Sequence, residues 1–249
     1  MRTPMMAGNW KMYKTIPEAL ALVEGLKKNV ADVKNREVLV CPPFCAIASV
    51  VAALKGTAIK VGAQNMHAET KGAFTGEISP SMLVDAGCSH VLIGHSERRQ
   101  YFGETDELVN KKMKAAFAAG LVPVVCVGEI LAEREAGKTL AVITVQIKNG
   151  ISGLTAEQAK TLVIAYEPVW AIGTGKTATP AQAEEVHASI RALYAGMYGN
   201  DAAQAVRILY GGSVKPDNVA DLMKQPNIDG GLVGGASLEI DSFTKLVAY

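Results

Sequence analysis

Short apolar, β-branched runs recur along the chain, each followed by a segment whose apolar positions repeat at helical spacing. The strand-like runs are Met5-Met6-Ala7-Gly8-Asn9-Trp10, Val38-Leu39-Val40-Cys41, Ile59-Lys60-Val61-Gly62-Ala63, His90-Val91-Leu92-Ile93, Val122-Pro123-Val124-Val125-Cys126-Val127, and the segments 161–166, 206–210 and 228–233. Helices are predicted after residue 15, over 44–54, from 80, over 105–119, around 130–150 and 155–160, and over 180–196, 216–223 and 239–247. Several starts are written into the residues. Thr15 with Glu18, Thr155 with Gln158, and Thr179 with Gln182 have capping-box spacing, and Pro80 and Pro180 stand at first helical positions.

Eight strand–helix units in 249 residues average about 31 residues each. Near-continuous apolar strands alternating with amphipathic helices call for a parallel sheet covered by helices. That many units fit a closed (β/α)8 barrel of the α/β class better than an open doubly wound sheet. With no linker, low-complexity tract or break in composition, residues 1–249 read as a single domain. The polar residues point the same way. Asn9, Lys11, Gln64, Asn65, His95, Glu97, Glu129, Glu167, Ser213 and the pair Gly234-Gly235 each fall just after a strand. In a barrel these positions converge on one rim, the rim where active sites form.

Composition narrows the function classes. A net charge of +1 without a long basic run lacks the electrostatic footprint of nucleic-acid binding. The longest apolar candidate, near 116–128, is broken by Gly120 and Pro123, so no membrane span is expected. Cys41, Cys45, Cys88 and Cys126 follow neither a disulfide framework nor a zinc spacing, which fits a reducing, cytoplasmic setting. The four histidines offer no close metal-ligand pair; His67, His90 and His187 read as structural residues.

Residues 165–178 carry the most chemistry. The sixth apolar run ends on Glu167, and Pro168 keeps that residue out of the helical region. The following Pro168-Val169-Trp170-Ala171-Ile172-Gly173-Thr174-Gly175-Lys176-Thr177-Ala178 is apolar and stiff at its start, glycine-rich in its middle, and clamped by a capped helix behind. That is the composition of a lid. A lid hinged on a carboxylate points to a base that acts once water is shut out. Gly175-Lys176-Thr177 looks like the tail of a P-loop, but that motif needs a glycine where Trp170 stands. Two further loops, Gly211-Gly212-Ser213-Val214 and Gly234-Gly235-Ala236-Ser237, follow the seventh and eighth strands, where barrels commonly seat a phosphate.

Six segments, in order and each at a strand end, carry a family resemblance. They are Gly8-Asn9-Trp10-Lys11-Met12, Ile93-Gly94-His95-Ser96-Glu97-Arg98-Arg99, Cys126-Val127-Gly128-Glu129, the run from Tyr166 to Lys176, Tyr210-Gly211-Gly212-Ser213, and Leu232-Val233-Gly234-Gly235-Ala236. On these residues the chain resembles the triosephosphate isomerase family from end to end. The resemblance implies a TIM-barrel enzyme of glycolysis and gluconeogenesis that interconverts dihydroxyacetone phosphate and D-glyceraldehyde 3-phosphate without cofactor or metal. Glu167 would be the base, His95 a neutral imidazole electrophile, Lys11 the charge for phosphate and enediolate, and Asn9 a hydrogen-bond donor beside it. The N–H groups of Gly173, Ser213, Gly234 and Gly235 would hold the phosphate under the lid. Ser96 and Glu97 would support the base and Lys11, and Cys126 would pack behind Glu167 as a buried thiol. Loop 65–79 resembles the family's dimer loop, with Thr75 near its tip, and implies a homodimer. Tyr13, Gly231, Cys41 and Cys45 depart from the family's usual residues without touching the chemistry.

Two rivals remain open to discrimination. A Schiff-base aldolase needs a lysine on a barrel strand, and the runs of the fifth to seventh strands offer none. A non-catalytic phosphate-binding barrel protein would lack Glu167, His95 or the lid, and all three are present.

Overall fold

In a computed structural model of the chain, residues 2–30, 33–173 and 177–249 are described. The eight described strands are β1 (Met5–Asn9), β2 (Glu37–Cys41), β3 (Lys60–Ala63), β4 (His90–Ile93), β5 (Val122–Val127), β6 (Val163–Tyr166), β7 (Arg207–Tyr210) and β8 (Gly230–Val233). They pair in sequence order, and β8 pairs with β1 to close a barrel. Every pairing is parallel. The fold is a (β/α)8 barrel, as the periodicity predicts.

Side chains alternate across a strand, so each strand feeds two cores. Met5, Ala7, Leu39, Leu92, Val124, Cys126, Val163, Ala165, Leu209 and Leu232 pack with one another inside the barrel. Met6, Val38, Val40, Val91, Ile93, Val125, Ile164, Tyr166, Ile208 and Tyr210 belong to the larger core beneath the helices. This is why the strands read as continuous apolar runs rather than alternating ones. The same parity reaches the rim. Asn9 continues Met5 and Ala7, and Glu167 continues Val163 and Ala165, so both side chains turn inward where the apolar layers end.

The opposite end of the barrel is closed by charge. Glu37, His90 and Arg207 open β2, β4 and β7; the Glu37 carboxylate lies 3.3 Å from His90 Nε2 and 3.5 Å from Arg207 Nη1. The hydrogen bond from His90 holds the Glu37 carboxyl down at about 2 against the opposing effect of burial, with Arg207 helping. Outside the barrel, Asp229 accepts from Arg191 Nη2 at 2.6 Å, from the Ile208 N–H at 2.8 Å and from Arg2 Nε at 2.5 Å. Both Asp229 and Arg191 are buried. Asp229→Ala is expected to cost about 3–5 kcal/mol in urea unfolding, because it leaves the Arg191 charge buried without its partner. A loss below about 1 kcal/mol would show that the pair contributes little.

Boundaries shift where side chains bond back to the backbone. The strand predicted over 161–166 begins at Val163, because Thr161 closes the helix Ala156–Thr161 and donates its hydroxyl to the Glu157 and Gln158 carbonyls. The segment 130–150 is two helices, Leu131–Glu135 and Thr139–Gly150, separated at Gly137 with φ 67°. Helices Ser96–Phe102 and Asn200–Ala205 add to the predicted set. The caps at Ser79, Thr155 and Thr179 form as the residues dictate. Among the described residues no helix is long and apolar enough to cross a membrane.

Candidate active site

The chain leaves β1 through a constrained turn. Lys11 has φ 51°, a left-handed conformation unusual outside glycine. Two side chains hold it there: Asn9 Oδ1 accepts the Lys11 N–H at 3.1 Å, and Gln64 Nε2 donates to the Lys11 carbonyl at 2.8 Å. The backbone is thereby aimed so that Lys11 Nζ meets Glu97 Oε1 at 2.6 Å. Gln64, a rim position in the sequence, acquires this role only in the folded barrel.

After β4 the backbone turns at once into the helix Ser96–Phe102, with His95 as its cap. His95 Nδ1 accepts the Glu97 N–H at 3.3 Å. That bond leaves the single proton of a neutral ring on Nε2, and Nε2 lies 2.9 Å from Glu167 Oε1. The other oxygen, Glu167 Oε2, accepts the Ser96 N–H at 2.9 Å. Both carboxylate oxygens are therefore engaged by the loop after β4.

Burial alone would raise the Glu167 pKa, but the charge and hydrogen bond of His95, the Ser96 N–H and Lys11 together hold it below the ordinary value. For His95, burial disfavours the cation, yet the Glu167 charge and hydrogen bond outweigh it and raise the pKa. The Glu167 carboxylate thus holds a proton on Nε2, while the Glu97 N–H at Nδ1 keeps the second ring nitrogen unprotonated, as a neutral imidazole requires. Cys126 is buried, and burial first, then Glu167, pushes its thiol far above the ordinary value. It packs behind the base and is no nucleophile.

A cavity of about 300 Å³ opens between these groups and the loops across the rim. Asn9, Lys11, His95 and Glu167 line one side; Gly173, Ser213, Gly234 and Gly235 line the other. All of the residues expected at catalysis and at the phosphate therefore share one cavity. Close approach explains one glycine: a Cβ at Gly211 would stand 2.8 Å from Glu167 Cγ. Among the described residues no cluster of three or more His, Cys, Asp or Glu is placed to hold a metal ion.

The segment expected to act as a lid opens with the 3-10 turn Val169–Ala171 and runs up to the capped helix Pro180–Tyr198. Thr174, Gly175 and Lys176 lie outside the described residues. Its tryptophan is latched. Trp170 Nε1 donates to Glu129 Oε1 at 2.9 Å, Tyr166 donates its hydroxyl to the same oxygen at 3.1 Å, and the Val169 N–H reaches the Glu129 carbonyl at 3.1 Å. Glu129 is fully buried. In the sequence it shows as a carboxylate just after a strand, within one of the segments that carry the family resemblance, and its tie to Trp170 is not written there.

With this geometry in place, comparison with known proteins is decisive. The family model described as triosephosphate isomerase matches residues 4–249. The chain belongs to the triosephosphate isomerase family. A triosephosphate isomerase of Endomicrobium trichonymphae is 64% identical over 249 residues, covering 100% of this chain and 99% of the relative. One from Herpetosiphon aurantiacus is 57% identical and covers 100% of both. A crystal structure of triosephosphate isomerase from Bartonella henselae superposes with a TM-score of 0.89 at 41% identity, covering 98% of this chain and 97% of that one.

Proposed function

We propose that this member of the triosephosphate isomerase family interconverts dihydroxyacetone phosphate and D-glyceraldehyde 3-phosphate by proton transfer through an enediolate. The observation that carries this reading is the buried Glu167–His95 pair on a cavity whose far wall is built from two glycine-rich anion loops. The N–H groups of Gly173, Ser213, Gly234 and Gly235 seat the phosphate, and Lys11 adds positive charge. With the phosphate there, the carbonyl end of a triose lies between His95 and Glu167. Glu167 takes the proton from the carbon beside the carbonyl, and the electron pair moves onto oxygen. His95 Nε2–H and Lys11 stabilise that oxygen, and Asn9 donates beside them. The hydroxyl proton then passes from the neighbouring oxygen to the first one by way of His95, and the carbonyl re-forms where that proton left. Glu167 returns its own proton to the other carbon, so no net proton is gained or lost.

His95 Nε2–H is held by the base in the structure, so substrate must separate the two. Once Glu167 turns away, its pull toward the cation is gone, and burial with the Glu97 N–H at Nδ1 favours the neutral ring against the nearby Glu97 carboxylate. The neutral imidazole thus belongs to the substrate complex. Closure of residues 168–178 excludes water, which protects the enediolate from losing phosphate.

The chain works as a cytoplasmic homodimer of single-domain barrels in this reading. The four described cysteines are free thiols, as a reducing compartment keeps them. A groove of about 620 Å³ beside Lys11 and Glu97 is walled by Met12, Phe44, Tyr101 and Phe102, with Met12 94% and Tyr101 and Phe102 each 68% exposed. Such a patch fits the loop 65–79 of a second copy, Thr75 near its tip. Asn65 anchors that loop through Lys112 at 2.8 Å, itself paired with the buried Glu104 at 2.7 Å. Sedimentation should give a mass near twice 26.2 kDa, and a stable 26.2 kDa particle at micromolar concentration would overturn the dimer.

The reaction is tested by following isomerisation of glyceraldehyde 3-phosphate together with exchange of its carbon-bound proton into deuterated solvent. Rapid isomerisation with exchange is the expected result. A protein that binds inorganic phosphate yet neither exchanges nor isomerises would leave the phosphate-binding rival standing.

A further inference from the structure

The loop after β5 lies against the base and the lid, yet one side of it faces a cavity instead of packed side chains. That cavity, of about 260 Å³, is bounded by Ser96, Val127, Gly128, Gln146, Glu167 and Val169 among others. On its β6 side the loop is held by ladder bonds: Glu167 N–H to the Val127 carbonyl at 2.7 Å, and Val169 N–H to the Glu129 carbonyl at 3.1 Å. On its other side the paired register of β4 stops at Ile93 opposite Val125. Beyond that point side chains replace the missing strand. Arg99 Nη2 donates to the Cys126 carbonyl at 3.2 Å, and Gln146 takes both polar groups of Gly128. Gln146 Oε1 accepts the Gly128 N–H at 2.7 Å while Nε2 donates to the Gly128 carbonyl at 3.0 Å.

Gln146 stands on the helix Thr139–Gly150 seven positions after Thr139, two turns along the same face. Thr139 donates its hydroxyl to Glu129 Oε1 at 3.4 Å. One helix face therefore grips two successive residues of the loop. Gly128 in turn lies flush against the main chain of Glu167, where a Cβ would overlap the Glu167 carbonyl. Any shift of Gly128 is passed to the residue that carries the base.

We infer that Gln146 is a positioning residue: its amide substitutes for a neighbouring strand at Gly128 and so sets the place of the Glu167 main chain. The inference rests on the proposed isomerase reaction, and the wild-type assay settles that reaction separately, before any variant is read. Gln146→Leu keeps the bulk of the side chain and removes both hydrogen bonds. It is expected to lower kcat about tenfold, a fraction of the 10²-fold that a 1 Å misplacement can cost. KM for glyceraldehyde 3-phosphate and the inhibition constant of inorganic phosphate should stay within about twofold, because the anion loops sit across the rim.

Gln146→Glu supplies the readout that a mere brace would not move. Its carboxylate can accept the Gly128 N–H but repels the Gly128 carbonyl, whereas the protonated acid can donate to that carbonyl. Partial burial and the facing carbonyl raise its pKa. The ratio of variant to wild-type kcat should therefore climb as pH falls from 7.5 to 5.5. A ratio that stays flat across that range overturns the inference, as does a Gln146→Leu variant with unchanged kcat. Parallel loss of kcat and phosphate affinity would equally overturn it, since that is the behaviour of a general destabilisation.

Discussion

Glu167→Gln is expected to lower kcat by on the order of 10⁴-fold, the upper end of what a positioned general base contributes. The amide cannot take a proton from carbon, yet it retains an acceptor for the Ser96 N–H or for His95 Nε2, each of which now meets a carboxylate oxygen at 2.9 Å. One of the two bonds is lost and the fold is kept. Glu167→Asp keeps the charge and withdraws it by about one bond, so kcat should fall on the order of 10²-fold. In both variants KM should change little, because Ser213, Gly234 and Gly235, proposed to seat the phosphate across the cavity, belong to loops that the substitution leaves alone. Steady-state isomerisation and solvent exchange of the carbon-bound proton are the measurements. A glutamine variant within tenfold of wild type would remove Glu167 from the role of base.

Acidification should destabilise the fold through His187, well above the range where carboxylates titrate. This histidine is fully buried; its Nδ1 lies 3.3 Å from the Asn227 carbonyl, and its ring meets Tyr166 edge-on at 5.8 Å. Burial, with Arg191 assisting, drives its pKa down to about 3. The unfolded chain takes up the proton below about 6.5, while the folded chain refuses it until about 3. Stability from this residue is therefore complete above about pH 6.5 and is lost as pH falls toward 3. The loss is about 2 kcal/mol between pH 7 and pH 5, and about 4–5 kcal/mol by pH 3. Glu37, held at about 2, adds its own loss only below about pH 4.5. Urea unfolding at fixed protein concentration, at pH 7 and pH 5, should show the first drop in wild type and a much flatter response in His187→Gln. The same pH slope in both proteins would clear His187 of the effect.

Much of the site was legible before folding was considered, for a local reason. Glu167 ends an apolar run and is followed by proline, and the period of two along Val163, Ala165 and Glu167 turns its side chain inward wherever those two are inside. Thr155 and Thr179 cap their helices because hydroxyl and amide partners stand three residues apart. Thr161 misleads for an equally local reason. It is β-branched, as strand residues are, but its hydroxyl bonds back to the last helical carbonyls.

What periodicity and spacing determined by themselves is the barrel, the inward parity of Asn9 and Glu167, the capped helix that closes residues 168–178 and the glycine loops, since each depends on residues within a turn or a strand of one another. Only the closed barrel decided the pairings. Lys11 meets Glu97 across 86 positions and Glu167 meets Ser96 across 71, while the Glu129 latch on Trp170 and the Gln146 hold on Gly128 join separate strands and helices. Side-chain hydrogen bonds demand donor and acceptor within a few tenths of an ångström, and that placement exists only after closure has brought the strand ends onto one rim.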